Sequence, residues 1–369
     1  MTAEEPLIDS LECSVYTVPT DQPEADGTIT WSATTCVVVQ AGAGGRTGLG
    51  YTYGPAACAG IVADLLQEVV VGRPAFAVVG SWGAMVRRCR NAGRPGIVSM
   101  AISAVDTALW DLAARLVDRP LADLLGRVRD TVPVYGSGGF TTYDDATLRR
   151  QLEHWVGDLG VSAVKIKVGQ SWGHAAERDL ARTRLARDVV GDQVEVFVDA
   201  NGGYTRGQAG RLGHAYDDLG VTWFEEPVSS DDLSALAGLR GELATDVAAG
   251  EYAYDVAYVN RMCGAGAVDC MQIDVTRIGG ITEWQRGAAV AAGYGLDVSG
   301  HCAPALHAHL AASVPNLRHL EYFHDHARLE PILFDGVPPV YDGVLHPALD
   351  RPGNGLSLRG SDAERYRSR

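Results

Sequence analysis

The sequence lacks the markers of several protein classes. There is no CxxC pair, and the seven cysteines, at 13, 36, 58, 89, 263, 270 and 302, are scattered and odd in number. Neither a disulfide framework nor a cysteine zinc site is expected, and the thiols read as reduced and mostly structural. No stretch approaches the roughly 20 uninterrupted apolar residues of a membrane span, and the opening "MTAEEPLIDS" is acidic rather than a basic leader. A basic surface is missing too: the formal net charge of -15 argues against nucleic acid as a partner. A small anionic substrate remains compatible if its site is locally positive. What is present is a chain of 369 residues with 46% hydrophobic content, enough for one large domain and a smaller one in a soluble, cytoplasmic protein.

The first part of the chain reads as a short sheet followed by helices. "LECSVYTVP", "TTCVVVQAG" and "GLGYTYG" are strand candidates, with the polar "TDQPEADGT" expected to be a long loop. In "SMAISAVDTALWDLAARLV", Ile102, Val105, Leu109 and Leu112 recur at spacings of three and four, the pattern of an amphipathic helix. From about residue 131 short apolar strands alternate with longer helices: "TVPVYGSG", "SAVKIKVG", "VEVFVDAN", "VTWFEEP", "DVAAGEY", "CMQIDVTR", "LDVSGHC" and "LRHLEYF". Eight such units predict a (β/α)8 barrel; an open doubly wound sheet would carry a glycine fingerprint that "YGSGGFTT" does not supply. The expected division is an α+β capping domain over residues 1–128, a catalytic barrel over 129–345, and a tail over 346–369 packing back on the cap.

Polar residues gather at the strand ends, where barrel active sites lie. Asp199, Glu225 and Glu251 are spaced 26 residues apart, one βα unit each. Three carboxylates converging at one height repel unless a hard cation such as Mg2+ sits between them. Asp274 and His301 end neighbouring strands, and a carboxylate beside an imidazole fixes its tautomer for acid or base work. In "KIK", Lys165 and Lys167 point the same way on one strand, while Val164, Ile166 and Val168 point the other. Two close ammonium groups beside a cation are expected to lower each other's pKa, leaving one as a neutral base.

These residues resemble the mandelate racemase subgroup of the enolase superfamily. "ISAVDTALWDLAARLVDRPLADLLG" is similar to that family's capping helix, and "KIK", "DAN", "EEP", "GE", "DVTRIGGIT", "SGH" and "LEY" follow in its order. The resemblance implies that Asp199, Glu225 and Glu251 hold Mg2+ and that Lys167 is one base. His301, supported by Asp274, would be the second base or acid on the opposite face. Lys165 would tune Lys167 and neutralise the substrate carboxylate, Glu321 would hydrogen-bond the enolate, and Asn201 would touch substrate. A homo-oligomer, from dimer to octamer, is expected. The capping helix ends "LLGR" rather than "LLGG", a change at a domain junction.

The chemistry implied is removal of a proton beside a carboxylate, which needs metal and hydrogen-bond donors because the product carries a second negative charge on the same group. Dehydration of a polyhydroxylated acid sugar is expected ahead of racemisation or epimerisation. Cycloisomerisation is disfavoured, since that group resembles a pattern with lysine where Asp274 stands. "VPTDQPEADGT" and "GLGYTYG", with Tyr51 or Tyr53, are expected to close over the mouth as specificity loops. His324 and His326 of "HDH" read as loop residues near the mouth, and His307 and His309 as packing residues.

Overall fold

The computed structural model describes residues 5–368. Three antiparallel strands open it: β1 (Ser10–Ala25), β2 (Thr30–Ala43) and β3 (Arg46–Tyr53). The expected long loop is instead the second half of β1. The pairing of β1 with β2 shifts register between Pro19 and Glu24 and resumes at Glu24–Trp31 and Ala25–Thr30. Only the chain between Ala25 and Thr30 turns, around Asp26, whose Oδ1 accepts from the amides of Thr28 at 2.6 Å and Ile29 at 2.8 Å. An Asx turn thus does the work that polar composition assigned to a whole loop.

"GLGYTYG" is likewise strand rather than flap, and its glycines seat a helix. A Cβ at Gly48 would stand 2.2 Å from the carbonyl oxygen of Ala108, and one at Gly50 would stand 2.3 Å from that of Ala104. Both carbonyls belong to the helix Ile97–Leu116, whose Ile102, Val105, Leu109 and Leu112 are fully buried. Each such side chain contributes about 1.5–3 kcal/mol of burial free energy. By length and hydropathy this helix matches a bilayer-spanning segment although Asp106 and Asp111 interrupt its apolar run; 83% of its most apolar window lies inside the fold.

The second region is a closed barrel of eight parallel strands: β4 (Val132–Gly138), β5 (Ala163–Lys167), β6 (Glu195–Asp199), β7 (Val221–Glu225), β8 (Asp246–Ala249), β9 (Cys270–Ile273), β10 (Asp297–Gly300) and β11 (Leu317–Phe323). Each pairs with the next, and β11 returns to β4. Closure leaves no edge, so β5 has no solvent side on which its lysines could lie. Several helices start on side-chain caps from the preceding loop: Asp144 to the amide of Thr147, Asp255 to that of Tyr258, and a capping box between Thr205 and Gln208.

Cap and barrel are joined by buried polar bonds. Asp106 accepts from the amide and hydroxyl of Thr282 at 2.9 and 2.7 Å, and the Tyr51 hydroxyl donates to Glu330 at 2.7 Å. Gly280 has φ 86°, and a Cβ there would collide with the Asp106 carboxylate at 2.5 Å. The tail contacts the cap: Asn354 Nδ2 donates to the carbonyl of Leu49 at 3.0 Å, and the amide of Thr17 donates to the carbonyl of Tyr366 at 2.8 Å. None of the seven cysteines is in a disulfide.

Candidate active site

The sheet register sets the height of the charges. Lys167 lies opposite Asp199, and Asp199 opposite Glu225, so three neighbouring strands present charged groups in one layer. Glu251 follows β8 by two residues, Asp274 follows β9 by one, and His301 follows β10 by one. One carboxylate oxygen from each of Asp199, Glu225 and Glu251 lies within 4.8 Å of the others, and all three side chains are buried. Above them opens a cavity of about 340 Å³ lined by Lys167, Asn201, Glu251, Arg277 and His301 from the barrel, and by Trp31, Thr34, Thr35 and Tyr53 from the cap.

The two lysines have different surroundings. Lys165 has no exposed surface, and its Nζ donates to Glu225 Oε1 and Oε2 at 2.7 and 2.6 Å and reaches Glu321 Oε1 at 2.8 Å. It does not line the cavity above the triad. Lys167 does line the cavity, and its Nζ stands 2.5 Å from Asp199 Oδ2. Among the protein's own groups, the acids outweigh the repulsion between the two lysines. Burial lowers both, but the charges of Glu225, Glu321 and Asp199 around Lys165, and of Asp199 beside Lys167, hold both above the ordinary value.

His301 is held from behind: its Nδ1 bonds to Asp274 Oδ2 at 2.8 Å, while Asp274 Oδ1 accepts from the amide and hydroxyl of Thr276, each at 2.7 Å. Burial would raise the Asp274 carboxyl, but His301 and Arg277 hold it at about 2. The other nitrogen, Nε2, stands 3.1 Å from Glu251 Oε2. Burial would lower the imidazole pKa; the negative charges of Glu251 and Glu321 and the bond to Asp274 carry it well above its usual value. Cys302 adds little of this, because its own thiol is pushed up by burial and stays neutral.

The donor set fits a hard dication. Three buried carboxylates converge, Glu226 Oε1 and Asn201 Oδ1 are buried beside them without hydrogen-bond partners, and the Glu226 carboxyl is raised well above normal by burial and by the charges of Glu251, Asp199 and Glu225. Such crowding is what a cation with oxygen preference relieves.

Models of two families match the chain, the mandelate racemase/muconate lactonizing enzyme N-terminal domain over residues 11–126 and the enolase C-terminal domain-like region over 147–363. The chain belongs to the mandelate racemase/muconate lactonizing enzyme family of the enolase superfamily. It is 35% identical over 321 residues to a 3,6-anhydro-alpha-L-galactonate cycloisomerase of Streptomyces coelicolor, covering 85% of this chain and 86% of that one. It is 32% identical over 292 residues to an arabinonate dehydratase of Saccharolobus solfataricus, with 78% and 77% covered. Among solved structures, a mandelate racemase/muconate lactonizing enzyme-like protein from Rubrobacter xylanophilus superposes with TM-score 0.95 at 47% identity, covering 98% of this chain and all of that one. A racemase from S. coelicolor with bound magnesium does so with TM-score 0.92 at 31% identity, with 98% and 100% covered.

Within this member of the family, several expected placements change. Glu321 is buried below the cavity and saturated: Oε1 accepts from Ser137 Oγ at 2.6 Å, and Oε2 from the amide of Cys302 at 3.0 Å. The "HDH" residues open the helix His324–Leu333 and are not a loop. His326 faces the cavity, stacked on Tyr53 with ring centroids 3.6 Å apart, whereas His324 turns to Asp21. Tyr51 lies behind, in the cap–barrel junction. His307 and His309 are buried within the helix Pro304–Ala311. Arg277 escaped the sequence reading; its Nη1 donates to Glu251 Oε1 at 3.0 Å. Its signal was its place three residues after Asp274, on the same turn. Trp31, Thr34 and Thr35 were invisible because they reach the mouth only through the fold of the cap.

Proposed function

We propose that the chain, with Mg2+ held by Asp199, Glu225 and Glu251, removes the proton beside the carboxylate of an acid sugar and expels the neighbouring hydroxyl, giving a 2-keto-3-deoxy acid. The observation that carries this reading is that Lys167 and His301 open into one cavity from β5 and β10, beside a convergent carboxylate triad. The cation supplies positive charge to the substrate carboxylate as its second negative charge develops. Lys167 Nζ would take the α-proton as a neutral amine, the charge of Asp199 that otherwise holds its proton being neutralised by the bound cation. His301 Nε2, oriented by Asp274, gives a proton to the departing hydroxyl, which leaves as water. Lys165, bound to Glu225 and Glu321, fixes the acids beneath the cavity, and Arg277 orients Glu251. The amide of Asn201 donates to Asp199 Oδ1 at 2.9 Å, which leaves its side-chain oxygen for substrate hydroxyls. Trp31, Tyr53 and Phe323 wall the cavity against water.

The test is incubation with Mg2+ and a panel of aldonic and aldaric acids in D2O, read by NMR and a 2-keto acid assay. Keto acid is expected. Deuterium uptake with stereoinversion and no keto acid overturns dehydration in favour of racemisation. Isomerisation by ring opening, in which the β-oxygen that leaves is the ether of an anhydro ring and stays attached to the product, is a second reading, favoured by the 35% identity to a cycloisomerase, so a 3,6-anhydro sugar acid belongs in the panel. Its conversion in preference to every open-chain acid would replace the dehydratase assignment.

A further inference from the structure

Asp21, Glu24 and His324 meet where β1 of the cap crosses the helix that follows β11. One donor atom from each lies within 4.8 Å of the others, and His324 Nε2 stands 3.1 Å from Asp21 Oδ2. Glu24 has no exposed surface; its Oε2 accepts from Trp31 Nε1 at 2.8 Å, while Oε1 has no hydrogen-bond partner. A buried carboxylate oxygen left without a donor is expensive, so something is missing from its surroundings.

We propose that Asp21, Glu24 and His324 form a second divalent-cation site, separate from the carboxylate triad, that takes a borderline ion of the zinc or cobalt class. An imidazole nitrogen with two carboxylates suits such ions, whereas Mg2+ prefers oxygen throughout. The side chains of His324 and Asp21 are 24% and 42% exposed, so an ion has an entry path and two ligands have freedom to close on it. The other charges nearby are committed elsewhere. Asp325 accepts from Thr34 Oγ1 and from Arg328 Nη2, and Arg328 also donates to the carbonyl of Pro19. Filled, the site ties β1 to the barrel and, through the Glu24–Trp31 bond, fixes one wall of the mouth. None of this rests on which reaction the mouth performs.

Equilibrium dialysis of the full chain against Zn2+ tests it. The wild type is expected to bind two zinc ions per chain, His324→Asn one, Asp199→Asn one, and the double variant none. Glu24→Gln keeps the shape but removes the charge, and weakens the second ion by more than the about 10–100-fold that loss of an outer-shell partner costs. With Co2+, the visible spectrum of the Asp199→Asn protein should change on adding His324→Asn, because a nitrogen ligand is lost. One zinc per wild-type chain, or two per chain in His324→Asn with unchanged affinity, overturns the assignment.

Discussion

The barrel is hollow at both ends, and the two ends differ in opposite directions. The floor, at the N-terminal ends of the strands, holds about 560 Å³ against about 340 Å³ at the mouth. Yet the floor is lined by Tyr135, Phe197 and Trp223, and its charges are settled: Arg318 pairs with Asp246 at 2.6 Å and with Asp297 at 3.4 Å, while burial holds His319 neutral with a pKa of about 3. At the mouth six acids, Asp199, Glu225, Glu226, Glu251, Asp274 and Glu321, crowd against Lys165, Lys167, Arg277 and His301, nearly all out of water. The proposed chemistry draws on the mouth's surplus of buried acids over bases, and volume is a poor guide to such a site. The ends are also linked, because Trp223 Nε1 and Gln272 Nε2 donate to Glu225 Oε2 at 2.9 and 3.0 Å.

The contrast is sharpened most by deleting a mouth charge. Lys167→Ala should lower α-proton exchange by at least about 10²–10⁴-fold while leaving Mg2+ bound, measured by deuterium uptake and calorimetry. Retained exchange would remove Lys167 from the chemistry. Next comes Asp199→Ala, expected to weaken Mg2+ by more than about 100-fold in the same titration. Full metal affinity in that variant would mean that the triad is misassigned.

Much of the mouth was legible because barrel strands write their chemistry at fixed intervals. The 26-residue spacing of Asp199, Glu225 and Glu251 follows from one βα unit per acid, and the chain contains only two lysines, both in "KIK". A sequence that otherwise uses arginine for positive charge has lysine only at this strand, and of the two side chains lysine is the one able to lose its proton, as the proposed chemistry requires. Less legible was depth. Alternation put Lys165 and Lys167 on one face, but two residues along a strand also separate them in height, so one lies beneath the acids and the other faces the cavity. The cap was misread where composition competed with pairing, as in the polar half of β1, and where glycines served helix packing rather than mobility, as at Gly48 and Gly50.

Trp223→Phe probes the link between the ends. It removes the indole donor to Glu225 while keeping an aromatic ring in the floor, and should weaken Mg2+ by about 10-fold, the usual effect of losing a partner behind a ligand. Unchanged affinity would mean that the floor does nothing for the mouth beyond filling space.

A smaller effect separates the ends by pH. Asp106 and Glu330, which pin the cap over the mouth, are raised by burial to about 7 and about 8. The native state keeps their protons where the unfolded chain has lost them, so stability falls as pH rises from about 4 through 7 or 8. Each contributes on the order of a few kcal/mol over that window. The melting temperature should therefore drop by several degrees between pH 5.5 and 8, and Asp106→Asn should flatten part of that slope. A floor variant such as Arg318→Ala should leave the slope as it is.

That same substitution carries the smallest expected effect and the strongest threat to the contrast. The Arg318 side chain is 31% exposed, bridges two half-exposed acids and lies 5.8 Å from the Trp223 ring. Exposed pairs of this kind are worth about 0–1 kcal/mol, and stacking at such a site adds at most about the same. Arg318→Ala should cost a degree or two of melting temperature and leave turnover within about twofold, because no charge at the mouth depends on it. A tenfold fall in turnover with Mg2+ affinity intact would mean that Arg318 acts on the mouth through Trp223 and Glu225. The larger cavity would then belong to the catalytic machinery after all.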